Sequence, residues 1–145
     1  MAKTITNGTA AEYYAAAELT RRGYLASMTI KNTPGIDIVA VNSETEKMSC
    51  IQVKSKENLG KTKTWPLNKK DEKARGDTFF YIFVDLDIKN GTNSRFYIVP
   101  AATVAKKIKK YHEEFVANGG KDTDIRTFKL SKDEEEKYQD WGILK

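Results

Sequence analysis

Residues 35–56 read Gly35-Ile36-Asp37-Ile38-Val39-Ala40-Val41-Asn42-Ser43-Glu44-Thr45-Glu46-Lys47-Met48-Ser49-Cys50-Ile51-Gln52-Val53-Lys54-Ser55-Lys56. Two apolar runs rich in β-branched residues flank a polar turn at Ser43–Lys47, the pattern of a β-hairpin. A turn centred near Glu44 and Thr45 sets Asp37 opposite Gln52, and opposed residues of an antiparallel pair share a face with Cβ atoms about 4.5–5.5 Å apart. Lys54 projects on that same face one pleat further, because side chains alternate along a strand. Ile51 and Val53 point the other way and anchor the strand in the core. A carboxylate, an amide oxygen and an ammonium thus converge at one end of a rigid hairpin.

Working outward, a helix is predicted from about Ala10 to Arg22, ended by Gly23 and opened by a Thr9/Glu12 capping box. Residues 1–8 read as a short flexible lead-in. Strands are expected over Tyr24–Lys31, Ile36–Asn42 and Ser49–Lys56, the first two joined by a turn at Asn32-Thr33-Pro34-Gly35. A basic, turn-rich stretch around Trp65-Pro66 leads to a short helix near Asn68–Arg75. The run Thr78–Val84 is apolar throughout and reads as a central strand. After a turn at Asn90-Gly91 come a strand, Arg95–Val99, and a long helix from Pro100 to about Val116. Its Val104, Ile108, Tyr111 and Phe115 recur at helical spacing and are expected to face the core. Asn118-Gly119-Gly120 stops that helix. Ser131 and Glu134 form a second capping box, and Tyr138, Trp141, Ile143 and Leu144 are expected to dock on the body. The order α-β-β-β-α-β-β-α-α predicts a single α/β domain over 1–145, a three-layer sandwich around one mixed sheet. Its core spans about 9–100, followed by a largely helical extension over about 101–145.

Composition narrows the function. The chain has 145 residues, 39% hydrophobic and 31% charged, which is the balance of an ordinary globular protein. No apolar stretch approaches the ~20 residues that span a bilayer, and no secretory leader is evident at the N-terminus. A cytoplasmic protein without a membrane partner is the expectation. Cys50 is the sole cysteine, which excludes an internal disulfide or an all-cysteine metal site. It also lacks an adjacent base, so a cysteine hydrolase is disfavoured. No phosphate-binding glycine loop is present, so no nucleotide cofactor is expected.

The formal net charge is +5, and all of it falls between Lys54 and Arg75. Concentrated positive charge attracts phosphate backbones, which makes Lys56, Lys61, Lys63, Lys69 and Lys70 candidates for binding DNA. A solvated basic loop is the bland alternative. Trp65, set among lysines, reads either as an aromatic that stacks on an unpaired base or as a packing residue beside Pro66 and Leu67. The pairs Lys106-Lys107 and Lys109-Lys110 read as a solvated helix face. His112 has no metal-ligand partner at suitable spacing.

The hairpin cluster suits metal-assisted phosphodiester hydrolysis. Mg²⁺ takes hard oxygen ligands and keeps several waters, so one or two protein oxygens together with substrate phosphate are sufficient; Mn²⁺ is the alternative ion. Asp37 would be the anionic ligand and Gln52 a neutral one. Lys54 would orient the attacking water or stabilise charge building on the phosphoryl group. The competing reading is a surface Asp–Lys cross-strand pair with a glutamine beside it. Glu12 shares a helical stripe with Ala16, Leu19 and Gly23. It either reaches the metal site from the helix or merely caps it.

Taken together, Gly35-Ile36-Asp37-Ile38-Val39-Ala40 followed by Ile51-Gln52-Val53-Lys54-Ser55 resembles the PD-(D/E)XK nuclease superfamily, which includes restriction endonucleases and archaeal-type Holliday junction resolvases. The resemblance runs from about Thr9 to Val84, just over half the chain. It implies a restriction endonuclease-like fold and a Mg²⁺-dependent DNA endonuclease. It also implies metal binding by Asp37 and Gln52, a catalytic Lys54, and Glu12 as the helix-borne acid. Pro34 stands three residues before Asp37 instead of next to it. Gln52 occupies the usual Asp or Glu position, a Gln-x-Lys version similar to that of Mrr-type restriction nucleases. A catalytically inactive nucleic-acid-binding module, or a protein-interaction module using the aromatic tail, is the alternative. Cutting both strands of a duplex with one site per chain favours a homodimer.

Overall fold

The computed structural model describes residues 2–30, 35–57, 60–73 and 75–145, with side chains from Thr6 onward. Helix α1 spans Ala2–Arg21 and buries a row of small and apolar residues, Ala11, Ala15 and Leu19, none with any exposed surface. Alanines at these positions let the helix approach the sheet closely. Gly23, with φ +93°, turns the chain into β1 (Tyr24–Met28). Strands β2 (Ile38–Asn42) and β3 (Met48–Glu57) form the expected hairpin, with Ile38 opposite Ile51 and Val39 opposite Cys50.

After β3 the chain forms β4 (Lys63–Asn68), a single 3-10 turn at Lys69–Glu72, and then β5 (Phe79–Leu86). Strand β6 (Arg95–Pro100) leads directly into α2 (Ala101–Ala117), which is followed by β7 (Ile125–Leu130) and α3 (Lys132–Tyr138). The chain ends in a 3-10 turn at Trp141–Leu144. The main sheet has the order β1-β2-β3-β5-β6, and β4 pairs with β7 in a separate two-stranded sheet. Within the main sheet only β3 and β5 are parallel; the other neighbours are antiparallel. A parallel pair requires a crossover connection, and here β4 and its 3-10 turn supply it.

Every residue of β5 is buried, as expected of a strand covered on both faces. Alternate residues feed two cores. Phe80, Ile82 and Val84 join α1, Ile38 and Ile51 on one side. Phe79, Tyr81 and Phe83 join Trp65, Phe128, Val104 and Ile108 on the other. The layers are therefore α1, the five-stranded sheet, and a cover made of β4, β7 and α2.

Several expectations are corrected. Residues 2–8 are helical, so Thr9 lies inside α1 and does not cap it with Glu12. Gly8 costs only about 1 kcal/mol inside a helix, too little to break one anchored by Ala11, Ala15 and Leu19. Lys31 and the Asn32-Thr33-Pro34 part of the first turn lie outside the described residues. The stretch around Trp65-Pro66 is a strand: Lys63, Trp65 and Leu67 point inward while Thr64, Pro66 and Asn68 point out. Proline is tolerated there because the partner sheet has only two strands, both edges. The helix expected near Asn68–Arg75 is reduced to the 3-10 turn, capped by Asn68 and Asp71.

Strand β7 falls within the tail expected to be helical; its inward residues are Arg126, Phe128 and Leu130. In α2, Val104 and Ile108 are buried as expected, but Tyr111 and Phe115 are 40% and 50% exposed. The helix outruns the layer it packs on. The Ser131/Glu134 capping box forms, and Tyr138 and Leu144 are buried.

Candidate active site

Asp37 stands where β2 and β3 separate. Its N–H donates to Ile51 O at 2.8 Å, and its carbonyl accepts the N–H of Thr29 at 2.9 Å. On β3, the Cys50 N–H points to β5, where it meets Thr78 O at 2.8 Å. N–H groups alternate in direction along a strand, so the Val53 N–H faces the gap left by the departing β2. Asp37 fills that gap with its side chain: Oδ2 accepts the Val53 N–H at 2.7 Å. The other oxygen, Oδ1, has no hydrogen bond among the described residues.

The ladder ends at Ile38 opposite Ile51. Asp37 lies just past it, with its N–H also on Ile51 O, so the expected Asp37–Gln52 pairing is broken and the Asp37 side chain meets β3 at Val53 instead. On its other side Gln52 lies beside Tyr81, and Lys54 beside Phe83. Tyr81 and Phe83 belong to the core under β4, β7 and α2. Gln52 and Lys54 therefore project on that face, away from α1. The Gln52 Oε1 is buried and has no hydrogen-bond partner among the described residues. A buried carbonyl without a donor is costly and calls for an explanation such as an ion. Burial pushes the Asp37 carboxyl above its ordinary pKa, against the Val53 N–H and the Lys54 charge, which both pull it down. Lys54 makes no ion pair among the described residues.

The arrangement offers two hard oxygens, one anionic and one neutral, at the end of a rigid strand pair, with an ammonium one residue pair beyond. Among the described residues no group of three or more His, Cys, Asp or Glu gathers to hold a metal. A divalent ion here would rely on Asp37, Gln52, water and substrate, as Mg²⁺ does readily. The unsatisfied Gln52 oxygen and the desolvated Asp37 carboxyl fit that role.

Glu12 flanks the buried row of α1, on the face of the sheet opposite to that of Gln52 and Lys54. Of the residues expected to bind DNA, Lys56, Lys61, Lys69 and Lys70 are exposed. Lys63 is not: its Nζ is buried against Asp85 Oδ2 at 2.6 Å. Trp65 has no exposed surface, donates its indole N–H to Val84 O at 3.1 Å and packs against Phe83, Tyr97 and Phe128. It cannot stack on a base.

Sequence reading missed a polar group beside the cluster. Tyr81 donates its hydroxyl to the buried Asp71 at 2.8 Å, and burial followed by that hydrogen bond raises the phenol pKa. Asp71 also accepts the Asn68 N–H at 2.9 Å. Arg75 donates to Gly35 O at 3.0 Å across forty residues of sequence. No local spacing carries that contact.

The fold is a restriction endonuclease-like mixed α/β sandwich. It is similar to the structure of a bacterial homing endonuclease, I-Ssp6803I, with a TM-score of 0.55 and 18% identity over 97% of this chain and 91% of that one. A second similar structure is Hjc, a Holliday junction resolvase from the archaeal hyperthermophile Archaeoglobus fulgidus, with a TM-score of 0.49 and 18% identity over 85% and 84% of the two chains. No protein-family model and no curated protein matches the sequence. At such identity the likeness is one of fold. No helix among the described residues is long and apolar enough to cross a membrane.

Proposed function

We propose that this chain is a metal-dependent DNA endonuclease that hydrolyses phosphodiester bonds at Asp37, Gln52 and Lys54. The observation that carries the reading is the buried Gln52 Oε1, without a hydrogen-bond partner among the described residues, next in chain to Val53, whose N–H the desolvated Asp37 carboxyl accepts. A buried Gln52 oxygen and an Asp37 Oδ1, both without a hydrogen bond among the described residues, are better explained by a cation than by a surface ion pair.

Asp37 and Gln52 would hold Mg²⁺, or Mn²⁺ in its place. When bound, the ion supplies positive charge that polarises the phosphodiester and makes water more acidic. The protein's own part is positional. The Val53 N–H fixes the Asp37 carboxylate through Oδ2 and leaves Oδ1 for the ion. The strand backbone fixes Gln52 and Lys54 on one face. Lys54, which makes no ion pair among the described residues, donates hydrogen bonds to the attacking water or to the phosphoryl oxygen on which charge develops; such a group typically contributes about 10²–10³ in rate. DNA as the substrate is supported by the exposed Lys56, Lys61, Lys69 and Lys70 and by the fold.

The test is cleavage of linear duplex, single-stranded, forked and four-way-junction DNA in Mg²⁺, Mn²⁺ or EDTA. Wild type is compared with Asp37→Ala and Lys54→Ala. Metal-dependent cutting that disappears in both variants, with DNA binding kept by Lys54→Ala, is the expected result. Tight, salt-sensitive binding without cutting of any substrate would replace the enzyme with a binding module.

A further inference from the structure

Arg75 is a second cation at the site. Its guanidinium carbon lies 3.9 Å from the Phe79 ring centroid, and its Nη1 donates to Gly35 O at 3.0 Å. Gly35 is two residues before Asp37. Phe79 is paired with Cys50, two residues before Gln52 on the same face. The Arg75 charge also reaches Tyr81, the cross-strand neighbour of Gln52, and lowers its phenol pKa against larger opposing effects. These contacts place Arg75 one pleat, about 6.6 Å, to one side of the Gln52–Tyr81 pair. Lys54 lies one pleat to the other side.

The guanidinium is half-buried, yet no carboxylate pairs with it among the described residues. Asp71, a buried acid bonded to Tyr81, already accepts from the Tyr81 hydroxyl and from the Asn68 N–H. Among the described residues only Nη1 has a hydrogen-bond partner, so Nη2 and Nε keep donors to spare. A partly desolvated cation with unused donors is suited to an anion that arrives from outside, and a stacked, planar guanidinium is suited to phosphate. The chain also makes room for it. Gly35 has φ +72°, and a Cβ there would fall 2.5 Å from Arg75 Nη2.

We infer that Arg75 is a phosphate-binding residue, holding a backbone phosphate of DNA on the side of the Gln52–Tyr81 pair away from Lys54. The inference rests on the proposed function for its substrate class. It adds that the DNA strand runs along β3, with cations on both sides of the metal-binding oxygens. Such a contact is blind to sequence and fixes register.

The experiment is binding of a fluorescein-labelled 20-base-pair duplex in EDTA across a salt series, for wild type, Arg75→Gln and Arg75→Lys. Arg75→Gln keeps a donor for Gly35 O but loses the charge. It is expected to weaken binding about ten-fold and to lower the slope of log K against log salt by about one. Arg75→Lys is expected to keep the slope. An unchanged slope in Arg75→Gln, equal losses in the two variants, or no salt-dependent binding by wild type overturns the assignment. In wild type, independently of any folding defect, the Arg75 Nε NMR resonance should shift when the duplex is added; a stationary resonance overturns it too. Failure of wild type to cleave in Mg²⁺ would instead remove the nuclease reading while the slope still reports on Arg75.

Discussion

The side chain of Asp37 takes the backbone N–H of Val53 at 2.7 Å, so one carboxylate oxygen completes the sheet where β2 leaves β3 and the other has no hydrogen bond among the described residues. Asp37 therefore serves the fold and the site with different atoms. Any substitution there has to be read on both.

Asp37→Asn separates the two roles. Asparagine keeps an oxygen for the Val53 N–H and removes the desolvated charge. Burial raises the folded-state pKa of this acid, so the folded protein binds its proton more tightly than the unfolded chain does. The associated stability is full below the ordinary carboxylate pKa and is lost as pH rises through the raised value. At neutral pH without metal, Asp37→Asn is expected to melt at the same temperature as wild type or a few degrees higher. Saturating Mg²⁺ should raise the melting temperature of wild type and leave Asp37→Asn unmoved. Calorimetry with and without EDTA reads both.

Lys54→Ala should cost about 10²–10³ in kcat with little change in the metal-induced thermal shift. Its ammonium touches neither Asp37 nor Gln52 by hydrogen bond or ion pair, so removing it leaves their geometry in place. Single-turnover cleavage beside a DNA-binding isotherm checks this. A loss of affinity that accounts for the whole effect would make Lys54 a binding residue only.

The hairpin was legible because its register follows from a short turn and a period of two, and both survive into the structure at Ile38–Ile51. Strand β5 was legible from its unbroken apolar run. What the sequence concealed was non-local. Lys63 and Trp65 looked like a basic surface because Lys63 finds Asp85, and Trp65 finds the Phe83–Phe128 stack, only once β4 pairs with β7. The alternation Lys63/Trp65/Leu67 was present, masked by a lysine at an inward position and by Pro66. Helix α1 ran past its expected start because Gly8 is a weak breaker, while Gly23, with φ +93°, closes its other end. Arg75 was visible only as one charge among eight between Lys54 and itself. Its contact with Gly35 depends on the crossover between β3 and β5.

Trp65→Ala is expected to be a folding lesion. Emptying a fully buried tryptophan site typically costs about 3–5 kcal/mol, and the indole hydrogen bond to Val84 O is lost with it. Urea unfolding should show that loss. The DNA affinity of the remaining folded protein, corrected for its fraction, should match wild type. A selective loss of affinity for single-stranded DNA at unchanged stability would restore the stacking role.

Exposed lysines should behave the opposite way. Charge reversal at Lys69 and Lys70, both exposed, is expected to leave melting temperature within about 1 kcal/mol equivalent of wild type. It should also weaken DNA binding with a smaller salt slope. A salt titration of the double variant decides it.

The central claim, that Asp37 and Gln52 together hold the ion used for hydrolysis, is tested most directly by the Mg²⁺ concentration giving half-maximal cleavage in wild type, Gln52→Glu and Gln52→Ala. Adding a second carboxylate should lower that concentration about ten-fold, and removing the Gln52 oxygen should raise it by a similar factor. Half-saturation that is the same in all three proteins, or cleavage that persists in EDTA, would contradict the account.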